Sequence, residues 1–399
     1  MSPFPAPPLS LYVHFPWCVR KCPYCDFNSY TLHGELDERR YVEALERDLE
    51  AQAGEITARE VVSIFFGGGT PSLFSPDAIG RVIEAARRHL SLAADVEVTM
   101  EANPGAIERG RFGEYRAAGL TRVSLGAQSF DERRLEVLGR IHSPDETRRA
   151  AAELHAAGLD NFNLDLMYAL PGQDIAAAVR DVEEAIALQP AHISHYQLTI
   201  EQGTVFAAQP PALPEDDAAV DMLSQCLQRL DAAGFAQYEV SAYARSGRRC
   251  RHNLNYWTFG DYLGVGAGAH GKLTTAAGAI IRTQQMREPR RYLASVPAKV
   301  ARSEVAREEL PFEFMLNALR LVEGFDVSLF QARTGLDWQD IAARVDELIG
   351  RGLLLRQEAR LKPSPRGLQF LNDLLLSFVS VQRRQSAKMI GDLGLSTAS

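Results

Sequence analysis

The sequence predicts an α/β protein built on a parallel sheet, with a mixed, mostly helical region at its C-terminal end. Three observations lead there. Short apolar segments with strand character alternate with amphipathic helical patterns through roughly the first 220 residues. Glycine, cysteine and polar residues follow those strands directly, at what would be one edge of a sheet. Beyond Ala208 the alternation stops and the composition changes.

The strands are read at 11–15 (LYVHF), 61–66 (VVSIFF), 96–100 (VEVTM), 121–126 (TRVSLG), 161–168 (NFNLDLMY) and 192–200 (HISHYQLTI). Among the helices, 75–90 places Ile79, Val82, Ile83, Ala86 and Leu90 on one face. Ser75 is positioned to cap it, and Pro76 suits its first turn. The segments 144–158 and 174–188 repeat the pattern. Strand–helix units in series make the strands parallel, in a sheet that is either doubly wound or curled into a barrel.

The stretch 209–217 (QPPALPEDD) is a turn-rich junction before a helix from about Asp217 to Ala233. Residues 238–273 mix aromatic, basic and glycine residues without a clean helical period. From 311 to 399 the chain reads as helical, with a short hairpin at 351–367, as in a small winged-helix-like module. Four parts are expected: a short N-terminal segment (1–10), a core (11–235), an extension (236–310) and the C-terminal module (311–399).

A 399-residue chain that is 46% hydrophobic and 24% charged can bury a substantial core. Its net charge of -8 argues against nucleic acid or an anionic membrane as the main partner. The N-terminal stretch lacks the charged start and apolar run of a secretory signal, and no 18-residue apolar span follows. A cytoplasmic location is therefore expected.

Three of the five cysteines, Cys18, Cys22 and Cys25, lie in CVRKCPYC after the first strand. An odd count with Cys226 and Cys250 far away is poor material for a disulfide framework, so ligating thiols are expected. A structural zinc site would need a fourth ligand, for which His14 and His33 are candidates, and Asp26 is adjacent. A [4Fe–4S] cube takes one thiolate per iron, so three cysteines would leave one iron open for chemistry.

The Cys-x3-Cys-x2-Cys spacing on the loop after the first strand resembles the signature of the radical S-adenosylmethionine (SAM) superfamily. FFGGGTPSLF (65–74) resembles its glycine-rich second-strand segment. The resemblance implies a partial (β/α)6 barrel of the TIM type. It also implies a cluster on Cys18, Cys22 and Cys25 whose open iron holds SAM and cleaves it to a 5′-deoxyadenosyl radical. More narrowly, the chain resembles the oxygen-independent coproporphyrinogen III oxidase-like family. The SAM contacts this implies fall on Tyr12, Tyr24, Gly68, Gly69, Thr70, Glu101, Gln128, Arg140 and Asp165. Arg140 suits the SAM carboxylate, Gln128 and Asp165 the ribose hydroxyls, and Glu101 the amino or ribose end. Tyr24 would shield the cluster or stack near the adenine. On the residues alone, Arg140 could face solvent, Gln128 could cap a loop, and His142, His192 and His195 read as packed or surface histidines.

Two activities divide that family. The oxidases convert two propionates of coproporphyrinogen III to vinyl groups, and carry a fourth cysteine two residues after the third. Here Phe27 stands at that position. The haem-chaperone branch is marked by His-Asn-x-x-Tyr-Trp, present as HNLNYW with His252, Asn253, Tyr256 and Trp257. The resemblance implies haem as a ligand, with His252 as candidate axial ligand and Arg248, Arg249 and Arg251 near the propionates. It further implies an acceptor haem protein, membrane-associated by the same resemblance, and an electron donor such as a flavodoxin or ferredoxin.

Overall fold

The computed structural model describes residues 4–54, 56, 59–105, 110–297 and 300–380. The last nineteen residues of the C-terminal module expected at 311–399 thus lie outside the described residues.

Six parallel strands form the heart of the protein: β1 (Leu9–Phe15), β2 (Glu60–Gly68), β3 (Ser91–Ala102), β4 (Arg122–Gln128), β5 (Phe162–Tyr168) and β6 (His192–Gln197). After β6, β7 (Ala236–Glu239) and β8 (Ala242–Ala244) close that edge in antiparallel fashion. On the other side of β1 lies β9 (Asp261–Val265), again parallel, with Leu9 opposite Asp261 and Val13 opposite Val265. Antiparallel β10 (His270–Thr274), β11 (Ile280–Gln284) and β12 (Ala301–Glu304) extend it. The twelve-stranded sheet runs β12-β11-β10-β9-β1-β2-β3-β4-β5-β6-β8-β7. It is a partial barrel of six parallel strands, widened at both edges.

The helices form as their sequences direct. In Pro76–His89, the Ser75 side chain accepts from the Ala78 N–H, and Arg87, Arg88 and His89 sit at the negative C-terminal end of the helix. Ile79, Val82, Ile83 and Ala86 of that helix are buried. In Pro144–Ala156, Ser143 and Glu146 cap each other's backbone reciprocally. The sixth strand stops at Gln197, three residues short of the expected 200. There Leu198 turns its N–H to the Tyr168 carbonyl (3.0 Å) and packs with Leu138 and Leu170.

Period-two alternation divides each strand between two environments. Leu9, Leu11, Val13 and Phe15 of β1, with Ile64, Phe66, Val98, Met100, Leu125, Leu164 and Leu166, join the buried core beneath the helices. The intervening Ser10, Tyr12, Ser63, Ser124, Asn163 and Asp165 carry the hydrogen bonds of the barrel interior. A second core gathers Phe312, Phe314, Phe330, Leu348, Leu361 and Leu374 in the C-terminal region. There the expected hairpin forms between Leu354–Gln357 and Arg360–Pro363, with Phe325–Asp326 on its outer side. Phe314 meets Phe259, Phe325 and Phe330 edge-on at 5.0–5.7 Å, a favourable aromatic geometry.

Among the elements that periodicity missed in the irregular stretch 238–273, two bear on the barrel interior. A seven-residue helix, Arg251–Trp257, enters the barrel from below, and β9 joins the main sheet. Neither is long enough to show a period, and β9 is buried on both faces.

Candidate functional site

The chain after β1 continues along β2 before turning into the cysteine loop. Gly69 N–H donates to Phe15 O and Thr70 N–H to Trp17 O, both at 2.7 Å. Trp17–Cys18 then pairs in parallel with Tyr30–Thr31. This ladder brings the loop 18–25 against the glycine segment. Gly68 has a left-handed φ of 113°, and a Cβ there would lie 2.5 Å from the His14 ring, so no larger residue fits.

Cys18, Cys22 and Cys25 are free thiols, each partly exposed. Burial raises the Cys18 thiol pKa and pushes Cys25 up to about 11. Arg140 Nη1 lies 3.7 Å from Cys22 Sγ, and Ser29 Oγ lies 3.9 Å from Cys25 Sγ. Among the described residues, no three His, Cys, Asp or Glu side chains converge closely enough to hold a single metal ion. His14 has no nitrogen to spare, since Nδ1 meets Tyr12 OH (3.0 Å) and Nε2 meets Asn28 O (2.9 Å). Three unpaired thiols with polar hydrogens near their sulfurs fit an iron–sulfur cube better than one zinc ion.

The remaining candidates meet this loop from strands β2 to β6. Arg140 turns inward: it donates to Asn103 Oδ1 and to Gly126 O (2.8 Å), and reaches Cys22. Asn103 also donates to Thr70 Oγ1 (3.1 Å), joining the glycine segment to the arginine. Gln128 ends β4 at a break in register, with a left-handed φ of 66°. Such a conformation costs about 1 kcal/mol or more in a residue with a Cβ, and marks a fixed site position. Its Oε1 accepts from Tyr196 OH at 2.9 Å. Tyr24 packs with Leu138, Met167, Leu170 and Phe206 beside the loop, and burial raises its phenol.

Two carboxyl groups lie deeper. Glu101 accepts from Gly68 N–H at 3.0 Å, and burial, followed by the nearby Asp165, pushes its pKa up to about 8. Asp165 is also raised by burial, although Ser124 (3.0 Å) and Asn163 (2.8 Å) donate to it. Glu101 therefore keeps its proton near neutral pH.

Tyr12 lies below Glu101, and His252 below Tyr12. The imidazole stacks on Phe65 (4.8 Å between centroids), 6.3 Å from the Tyr12 ring, with Nδ1 3.2 Å from Ser63 Oγ. It is 4% exposed, and burial lowers its pKa to about 3. The structure thus gathers the cysteines, Tyr24, the glycine segment, Glu101, Gln128, Arg140 and Asp165 at one mouth. It sets His252 on the barrel floor. Arg251 pairs with Asp95 and Arg249 with Glu323.

Sequence reasoning passed over Tyr196 and Asn163, read His192 as a packed or surface histidine, and gave Asn103 no role. Asn163 Oδ1 meets His192 Nδ1 (2.6 Å), and His192 Nε2 meets Tyr238 OH (2.8 Å), so Asp165 is held by a chain of side chains. The available signal was polar alternation within NFNLDLMY and HISHYQ. His142 and His195 are buried, with His142 Nε2 on Ala127 O (3.1 Å) and His195 stacked on Tyr168.

A guanidinium, two carboxyls, a glycine segment and three thiols at one mouth suit a ligand bearing both a carboxylate and a cation beside a metal cluster. Comparison with known proteins agrees. Residues 12–185 match the radical SAM superfamily, and residues 305–370 match the HemN C-terminal domain. The chain is similar to the haem chaperone HemW of Escherichia coli, 49% identical over 94% of this chain and 99% of that protein. The HemW of Haemophilus influenzae is 44% identical over 94% and 98%. A mitochondrial radical S-adenosyl methionine domain-containing protein 1 from Bos taurus is 37% identical over 93% and 87%. In fold, the structure resembles the radical SAM enzyme coproporphyrinogen III oxidase (HemN) of E. coli, with a TM-score of 0.79, 22% identity, and coverage of 94% and 91%. Kinship of this kind implies association with SAM, an iron–sulfur cluster and haem. Among the described residues no helix is long and apolar enough to cross a membrane. The chain is a haem-chaperone-like radical SAM protein and belongs to the HemW family.

Proposed function

We propose that this chain binds haem and transfers it to an acceptor haem protein, using a scaffold that carries a [4Fe–4S] cluster and SAM. The supporting observation is the mouth itself. Arg140 contacts Cys22 while bridging to Asn103 and Gly126, so a group bound by its guanidinium would lie beside a cluster on Cys18, Cys22 and Cys25. Arg140 would take the SAM carboxylate, Glu101 its amino group, and Gln128 and Asp165 the ribose hydroxyls. Gly68, Gly69 and Thr70 would line the methionine end, with Tyr12 and Tyr24 as walls. When bound, the cluster supplies an electron to the sulfonium. The chain's own part is to orient SAM, keep its carboxylate paired and hold or release the proton on Glu101.

Phe27 favours the chaperone over coproporphyrinogen oxidation: an exposed aromatic stands where the oxidases of the family place a sulfur. The working organisation is a core over 11–235, an extension over 236–310 carrying HNLNYW, and a module from 311. We read the location as cytoplasmic, the acceptor as a membrane-associated haem protein, and the electron donor as a flavodoxin or ferredoxin. As a haem ligand, His252 would act only after its helix leaves the barrel floor.

The test is an anaerobic haem titration of cluster-reconstituted protein followed by visible absorption. Saturation near one haem per chain supports the proposal, and absence of specific binding sinks it. Conversion of coproporphyrinogen III to the divinyl product would move the chain to the oxidase reading.

A further inference from the structure

A chaperone must meet its cargo at the surface, and most histidines of this chain are withdrawn from it. His14, His142, His192, His195 and His252 are all buried. His270 is exposed, and the fold places it at the rim. It opens β10 just after the turn 266–269, which follows the C-terminal end of β9, and so stands at the same sheet edge as the cysteine loop. The absence of a side chain at Gly264 seats it there, since a Cβ at that position would lie 2.0 Å from His270 O.

The surroundings of this imidazole are specific. On β11 its partner is Gln284, whose amide nitrogen lies 3.2 Å from His270 Nε2. Two residues beyond Gln284, just past the end of β11, is Met286, 45% exposed, held by Gly268 N–H donating to Met286 O at 2.9 Å. Asn28 fastens the cysteine loop to this ribbon by donating to Ala267 O and Arg287 O, both at 3.0 Å. That bond brings up Phe27, 41% exposed, and Lys21, whose Nζ donates to Phe27 O at 2.9 Å. Arg287 is also exposed. Burial, then Arg282 and Arg287, lower the His270 pKa, so the ring is neutral at pH 7 with a lone pair to give.

We infer that haem docks on this rim, with the His270 imidazole as axial ligand to its iron, Phe27 and Met286 against the macrocycle, and Arg287 and Lys21 facing the propionates. Each part of haem meets its chemical complement. A neutral imidazole donates its lone pair to iron by displacing only the Gln284 amide, and no proton need leave. The apolar side chains cover the ring, and the guanidinium and ammonium meet carboxylates. The inference rests on the haem-binding reading above and replaces an enclosed histidine with an accessible one.

The test uses full-length, cluster-loaded protein titrated with ferric haem under anaerobic conditions, read by Soret absorption and by electron paramagnetic resonance of the haem iron. His270→Ala should weaken binding by about tenfold or more and abolish the imidazole-ligated spectrum. His270→Cys should bind again with a thiolate-type spectrum, which loss of folding would not produce. An unchanged spectrum and affinity in His270→Ala would overturn the inference. So would loss of the imidazole signature in His252→Ala while His270→Ala retains it. If the unaltered protein takes up no haem, the haem reading itself falls, and this site with it.

Discussion

Replacing Glu101 by glutamine isolates the energetic consequence of the proton that Glu101 retains. An ordinary glutamate titrates at 4.5 and Glu101 at about 8. Between these values the folded protein keeps a proton that the unfolded chain releases. Folding then binds protons, so stability falls as pH rises through that window and levels off above it. At about 1.4 kcal/mol per pH unit, the interval sets a ceiling of about 5 kcal/mol. Glu101 is only partly withdrawn from solvent at the mouth, so about 2 kcal/mol is the expected effect. Glutamine preserves the shape and the acceptor for Gly68 N–H but cannot ionise. Glu101→Gln should therefore match the unaltered, cluster-free protein near pH 5 and exceed it by about 2 kcal/mol at pH 8.5. Urea unfolding at both pH values measures this. A stability gap that does not change with pH, or a variant weaker at pH 8.5, would refute the reasoning.

Other consequences are open to direct measurement. If SAM places its ammonium on Glu101, binding at pH 7 should release a proton, seen as a calorimetric heat that varies with the ionisation enthalpy of the buffer; buffer-independent heat would remove Glu101 from the ammonium site. Arg140→Lys keeps the charge but cannot span Cys22, Asn103 and Gly126 together, so SAM affinity should fall about tenfold to a hundredfold while iron content holds. Equilibrium dialysis and iron analysis separate the two. Lys272→Met should destabilise the protein by about 3 kcal/mol, because it strips Nζ (2.8 Å) from the fully buried Asp261 and leaves Arg59 as the remaining cation in contact. Phe314→Ala should cost about 3–5 kcal/mol of the C-terminal core, visible as an earlier thermal transition.

The parallel strands and their flanking helices were legible because each alternates apolar residues at a period its environment imposes. The cysteine loop and glycine segment were legible because their chemistry is carried by residue type and spacing. What remained hidden depended on distance through space. Nothing local to Tyr196 announces that its hydroxyl seats Gln128, and nothing in HNLNYW tells a ligand from a packed histidine until Phe65 and Ser63 are seen against it. β9 escaped because a strand of five buried residues has no alternating pattern. Arg140 could face solvent or site on sequence alone, and Asn103 and Gly126, both distant in sequence, decide it.

Tyr238 links the two cores. Its hydroxyl serves His192, which holds Asn163 and through it Asp165, while its carbonyl accepts the Val322 N–H (3.1 Å) from the C-terminal region. One residue along, Glu239 bridges to Leu321 and pairs with Arg320, whose guanidinium lies over Trp257. Through these joints the module braces the edge of the barrel. A chain cut before residue 305 would leave the acid Glu239 stranded and Tyr238 unbraced. Modules from distant relatives could be grafted only together with the strand that receives them.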